Sequence, residues 1–162
     1  MLLPLLASVF LHECGHILLL FLTGGKLRGV RFSLCGITLN AEYPPSYFAK
    51  IAISLGGPLI GVLCFLLFHK AGNTLSLFAE MNCALSLFNL LPITSLDGGT
   101  ALEAILLLFF SYNTACAIAR TVSLVTTVLL WSFSIYLFLF LNGSPSLFFL
   151  SLCFFFSLLF QP

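Results

Sequence analysis

The sequence predicts an all-α polytopic membrane protein: about five transmembrane helices plus one interfacial helix, with a small β-hairpin after the first helix. Three observations predict it. Of 162 residues, 60% are hydrophobic and only 7% charged, with a mean hydropathy of +1.17. A soluble domain needs roughly a quarter of its residues charged to cover its surface, so lipid must cover most of this one. Apolar runs also recur at close to the roughly 20 residues that cross the hydrocarbon core. Glycine, proline and asparagine clusters punctuate those runs where helices would have to end.

The first span reads over residues 2–23 and stops at Gly24-Gly25. A secretory signal suits this stretch poorly, because no basic segment precedes it and the later spans would remain unexplained. Residues 26–47 hold three of the six basic residues, and within them 30–39 alternates in part around Gly36, which suits a short hairpin. Pro44-Pro45 closes that segment, and a second span covers 50–69. It contains Gly57 and Gly61, a small-x-x-x-small pair that lets helix backbones approach in lipid, and Pro58, which frees a carbonyl. The third span, 75–93, is interrupted by Pro92. Asp97-Gly98-Gly99 then opens a polar-interrupted helix over 97–112 that suits the interface. Two further spans cover 121–141 and 146–160, and the Phe-rich tail is expected to face lipid. No internal repeat and no long linker appears.

A formal net charge of +1 and the lack of a basic patch exclude a nucleic-acid partner. The six cysteines (14, 35, 64, 83, 116, 153) form no C-x-x-C pair and suit small apolar fillers. Lysine and arginine placement sets orientation. With the N-terminus outside and 97–112 not crossing, Lys26, Arg28, Arg31, Lys50 and Arg120 are cytosolic and only Lys70 is outside. A crossing by that segment would move Arg120 outside and weaken the bias, so five crossings are favoured.

The chemistry sits in His12-Glu13-Cys14-Gly15-His16. Helical spacing puts His12 and His16 one turn apart on one face, able to fill two sites of a tetrahedral zinc. Glu13 projects beside them, placed to take a proton from water without ligating. His12 lies near the middle of its span, where ionisable groups are expensive and normally face a partner or a wet cavity. A third protein ligand is needed. Asp97, the chain's only aspartate, lies just beyond the Pro92 break and is favoured. It also suits the N-cap of the following helix. His69 competes less well, since it ends a span beside Lys70. Asn89 on the third span suits either a site residue or an interhelical bond.

His12-Glu13-Cys14-Gly15-His16, then Gly57-Pro58, then Asn89-x-x-Pro92-x-x-x-x-Asp97-Gly98, resembles the site-2 protease family of intramembrane zinc metalloproteases. The likeness covers about residues 1–112 and is closest to the compact bacterial and archaeal branch, including sporulation-factor-type members without a PDZ insertion or C-terminal regulatory domain. It implies a catalytic core over 1–112, with residues 113–162 adding two C-terminal transmembrane helices. It implies one catalytic Zn2+ held by His12, His16 and Asp97, with Glu13 as the base. Asn89, with Gly57 and Pro58, would contact substrate. Residues 29–42 would form a membrane-associated hairpin that adds the substrate as a strand. Thr100 stands where the family often has arginine after the double glycine, and Gly61 where asparagine is common.

The expected activity is hydrolysis of a peptide bond within or next to a transmembrane segment. The partners implied are a membrane-associated substrate and the bilayer, with room for a regulatory membrane protein or a second copy. The expected setting is a prokaryotic cell membrane, with the site opening to the cytosol. The alternative is a non-proteolytic zinc-binding or partner-retaining protein. An intact H-E-x-x-H with both Asp97 and Asn89 argues against it. A metal transporter would distribute its ligands along a path.

Overall fold

The computed structural model describes residues 2–33, 36–42, 46–140 and 146–159. Helix α1 (Leu2–Leu22) leads into strands β1 (Lys26–Ser33) and β2 (Gly36–Glu42), then α2 (Tyr47–Phe68), α3 (Asn73–Asn89), α4 (Asp97–Leu106), α5 (Tyr112–Phe140) and α6 (Ser146–Leu159).

The packing is inverted relative to a soluble protein. Buried positions include Ser8, Ser54, Asn82, Ser86, Ser123 and Thr127, while Leu3, Phe10, Leu22, Phe48, Leu67 and Phe140 are exposed. Small and hydroxylated residues let helix backbones approach, and the large apolar ones meet lipid. The buried hydroxyls find acceptors within their own helices, as Ser54 Oγ does on the Lys50 carbonyl (2.9 Å) and Thr127 Oγ1 on that of Ser123 (2.8 Å). Among the described residues three helices are long and apolar enough to cross a bilayer: Leu3–Leu22, Tyr47–Phe68 and Tyr112–Phe140. The chain is an integral membrane protein.

Helix α1 ends in a Schellman-type cap. Gly24 adopts φ 83°, its N–H reaches the Phe21 carbonyl (3.1 Å), and Gly25 N–H reaches that of Leu20 (2.8 Å). The chain reverses into an antiparallel hairpin running from Lys26↔Glu42 to Ser33↔Gly36, with a bulge between Leu27 and Gly29. Arg28 on the bulge pairs with Glu42. The turn at 34–35, including Cys35, lies outside the described residues. Cys14, Cys64, Cys83, Cys116 and Cys153 are free, and none is buried.

Helices α1, α2, α3 and α4 pack together, α5 packs on α4, and α6 packs on α5. The α1–α2 crossing runs over glycine: a Cβ on Gly15 would lie 2.4 Å from the Gly56 carbonyl oxygen. Gly57 and Gly61 serve different neighbours. Gly57 meets α1, and Gly61 meets Ser86 of α3.

Three boundaries differ from the hydropathy reading. Helix α3 stops at Asn89, because the chain must leave helical geometry ahead of Pro92. Helix α4 has ten residues and ends at Leu106 rather than reaching 112. Helix α5 starts at Tyr112, nine residues before the apolar window opens. Ser111 stands before it, with Oγ 2.9 Å from Thr114 Oγ1 and its carbonyl accepting Ala115 N–H. Hydropathy senses the lipid-facing length, and the 29 residues of α5 rise about 43 Å, well beyond a core of about 30 Å. In the tail, Phe149 faces outward but Phe154 is 2% exposed and packs inward.

Candidate metal centre

His12 and His16 stack one turn apart on α1 at 5% and 7% exposure, with ring centroids 4.8 Å apart and planes 78° to one another. Their Nε2 atoms stand 3.2 Å apart. Asp97 Oδ2 closes the group, 2.9 Å from His12 Nε2 and 3.2 Å from His16 Nε2. The sequence favours Asp97 as the third ligand and also suits it to the N-cap of the following helix. Asp97 is the first residue of α4, Leu96 holds the N-cap, and no side-chain cap bond forms. His69 stands away from the group and bonds its own helix end, Nδ1 to the Phe65 carbonyl at 3.0 Å.

Helix α2 fixes the second imidazole. His16 Nδ1 donates to the Ile53 carbonyl at 2.7 Å, in the turn just before Pro58. With its proton on Nδ1, the ring presents a free lone pair at Nε2, the tautomer a ligand needs. Sequence reasoning missed this partner, since a main-chain carbonyl leaves no signature in residue identity. Gly57 brings α2 directly against the ring tips: a Cβ there would lie 2.5 Å from His16 Nε2 and 2.6 Å from His12 Nε2.

Asp97 arrives by way of the irregular segment 90–96. Ile93 N–H bonds the Leu91 carbonyl and Leu96 N–H that of Ile93, both at 2.8 Å. The first turn of α4 nests on this segment. A Cβ on Gly98 would lie 2.2 Å from the Leu90 carbonyl oxygen, and one on Gly99 2.0 Å from that of Ile93. Behind it, Thr94 N–H donates to Ser123 Oγ of α5 (3.0 Å), and Ile93 and Leu96 pack with Phe154 of α6 and Leu130 of α5. The C-terminal helices therefore brace the segment that delivers Asp97. Lys50 of α2 pairs with Glu103 of α4 at 3.3 Å, a second tie.

The donor set suits a metal ion. An ion of zinc's size keeps tetrahedral ligand atoms about 3.3 Å apart, close to the 2.9–3.2 Å found here. Two imidazole nitrogens and one carboxylate oxygen leave a fourth position, as hydrolytic sites require. Glu13 is outside the ligand group, half-buried and within electrostatic reach of His12, His16 and Asp97.

The other expected site residues are placed differently. Asn89 ends α3 and bonds back to the Leu85 carbonyl (3.0 Å), and Pro58 is fully buried inside α2. Thr94 is half-buried and Ser95 exposed, beside the Pro92 break.

No family model matches the chain. A protein of Synechocystis sp. named "Putative zinc metalloprotease" is 30% identical over 112 residues, which are 62% of this chain and 30% of that protein. The chain therefore spans less than a third of this relative's length. Among solved structures, the site-2 protease from Methanocaldococcus jannaschii superposes with a TM-score of 0.69 at 25% identity, over 96% of this chain and 74% of that one. The chain is thus similar in sequence to a protein named as a zinc metalloprotease and in fold to a site-2 protease. Within this fold, the broken α3–α4 connection and the histidine pair of α1 bring His12, His16 and Asp97 to one point.

Proposed function

We propose that this chain is a zinc-dependent intramembrane peptidase, hydrolysing a peptide bond within or next to a transmembrane segment of a membrane-associated substrate. The observation that carries the reading is the convergence of His12, His16 and Asp97 on one point, with Glu13 beside them, in a helix able to span the bilayer. The names of the two relatives support it.

His12, His16 and Asp97 would hold the ion. Zinc bound there supplies Lewis acidity toward the scissile carbonyl and the attacking water. Glu13 takes the proton from that water and returns it to the departing amine. The substrate must be extended before its carbonyl is accessible. Addition of its chain to the β1–β2 hairpin would hold it so, through main-chain bonds that ignore sequence. Asn89 would release its bond to Leu85 and take up substrate backbone. Gly57 and Pro58 would contribute main chain to the wall of the site, since the Pro58 ring is buried.

On this reading α1, α2, α3, α5 and α6 cross the membrane and α4 lies at the interface. The positions of Lys26, Arg28, Arg31, Lys50 and Arg120 support an opening toward the cytosol, in what would be a prokaryotic cell membrane.

The test uses the full chain purified in detergent, with a membrane-segment peptide as substrate. Glu13→Gln should keep stoichiometric zinc and lose cleavage, and Asp97→Ala should lose both. Zinc bound by wild type without cleavage of any segment tried would favour a non-proteolytic zinc protein instead.

A further inference from the structure

Behind the metal centre, the seam between α1 and α3 holds a second buried polar group. Asn82 of α3 is 1% exposed and Ser8 of α1 is fully buried. Asn82 Nδ2 donates to Ser8 Oγ across the seam (2.9 Å) and to the Phe78 carbonyl within its own helix (2.8 Å). Ser8 passes its own proton to the Pro4 carbonyl (2.9 Å). Those bonds use both donors of the amide and fix its direction.

What remains is its oxygen. Among the described residues two buried side-chain polar atoms have no hydrogen-bond partner, Asn82 Oδ1 and His12 Nδ1. They are complementary. The amide oxygen can only accept. A neutral imidazole that turns its Nε2 lone pair toward a metal must carry its proton on Nδ1 and can only donate it. Ser8 precedes His12 by one helical turn, and side chains so related are neighbours, about 5–6 Å apart at Cβ. The amide that touches Ser8 therefore lies along the same seam as the ring.

We propose that Asn82 is a positioning residue of the metal centre, its carbonyl accepting the His12 Nδ1 proton across one buried water. Helix α3 would then do for His12 what the Ile53 carbonyl of α2 does directly for His16. A bridge is invoked rather than a direct bond because neither atom is within hydrogen-bond reach of a partner. A buried water needs two to four polar partners, and this seam offers the amide oxygen, the ring N–H and the remaining lone pair of Ser8 Oγ. The proposal rests on the metal-binding reading above.

A purely structural role is the competing account, since an asparagine between helices in lipid is good glue. Zinc affinity separates the two, measured by chelator competition on the full chain in detergent, beside the thermal stability of the metal-free protein. Asn82→Leu should weaken zinc binding about 10- to 100-fold, the usual effect of losing a ligand's outer partner. Ser8→Ala removes the interhelical bond but leaves the acceptor, so it should lower stability and keep affinity within about threefold of wild type. Asn82→Asp retains the acceptor, adds charge and should bind zinc as tightly as wild type or more tightly.

Wild-type affinity in Asn82→Leu, or equal losses in Asn82→Leu and Ser8→Ala, overturns the proposal while leaving the metal site standing. If Asn82→Leu does not fold, Asn82→Asp decides, and weaker binding than wild type there overturns it. A wild-type chain that binds no zinc overturns the metal reading and this inference together.

Discussion

Gly57 of α2 lies so close to His12 of α1 that one added methyl group would stand 2.6 Å from the ring's Nε2. The same methyl would meet His16 Nε2 at 2.5 Å. Both atoms are candidate ligands, so the contact is with the coordinating edge of each ring. Gly57→Ala should therefore displace the imidazoles or fill the ion's position. The expected result is loss of stoichiometric zinc, by metal analysis, with overpacking costing about 1–3 kcal/mol. Gly61→Ala provides the contrast: its Cβ would meet Ser86 Oγ and the Asn82 carbonyl oxygen of α3 rather than either ring tip, so it should cost stability and keep stoichiometric zinc.

Asp97 depends on the glycine that follows it by two. A Cβ on Gly99 would lie 2.0 Å from the Ile93 carbonyl oxygen, and main chain cannot rotate aside as a side chain can. Gly99→Ala should push the first turn of α4 off segment 90–96 and carry the carboxylate away from the histidines. Zinc affinity is expected to fall at least tenfold with α1 unchanged. Wild-type affinity in this variant would show that the carboxylate is not held by this packing.

Ser123 tests the brace from α5. Its hydroxyl accepts the Thr94 N–H at 3.0 Å, at a position with no exposure. Ser123→Ala removes that acceptor and should destabilise the protein by about 1–3 kcal/mol, measured by thermal unfolding in detergent. Ser132, exposed on the same helix and donating to the Val128 carbonyl one turn back, is the control and should cost under about 0.5 kcal/mol as alanine.

The Lys50–Glu103 pair ties α2 to α4 with each side chain 30% exposed. A partly screened pair is worth about 0.2–1 kcal/mol. Lys50→Glu and Glu103→Lys alone should each lower the melting temperature, and the double exchange should recover most of the loss. Recovery that vanishes in high salt would still agree with an ion pair, whereas no recovery in low salt would exclude one.

Much of the centre is legible in the sequence. Helical spacing is local, so the face shared by His12 and His16 follows from four residues of separation. Asp97 stood out as a lone carboxylate beyond a proline break. Long-range contacts were less readable. Gly57 and Gly61 looked like one packing motif, yet each answers to a different helix. His16 is oriented by a carbonyl, which every residue possesses. Phe154 read as one more lipid-facing aromatic, because composition cannot say which side of α6 turns toward Ile93 and Leu96. The start of α5 is obscured for a related reason: helical geometry continues where hydropathy has fallen.

His12 and Asp97 stand 85 positions apart in sequence and 2.9 Å apart in space. An ion held between them would be a removable cross-link closing a long loop of chain, and such closures restrict the unfolded ensemble most when the loop is long. Metal occupancy and unfolding are then linked, with zinc at 100 times its dissociation constant adding about 2.7 kcal/mol. The chain would reach full resistance to heat and proteolysis only on loading, so zinc supply would set how long each molecule survives in the membrane as well as whether it can act.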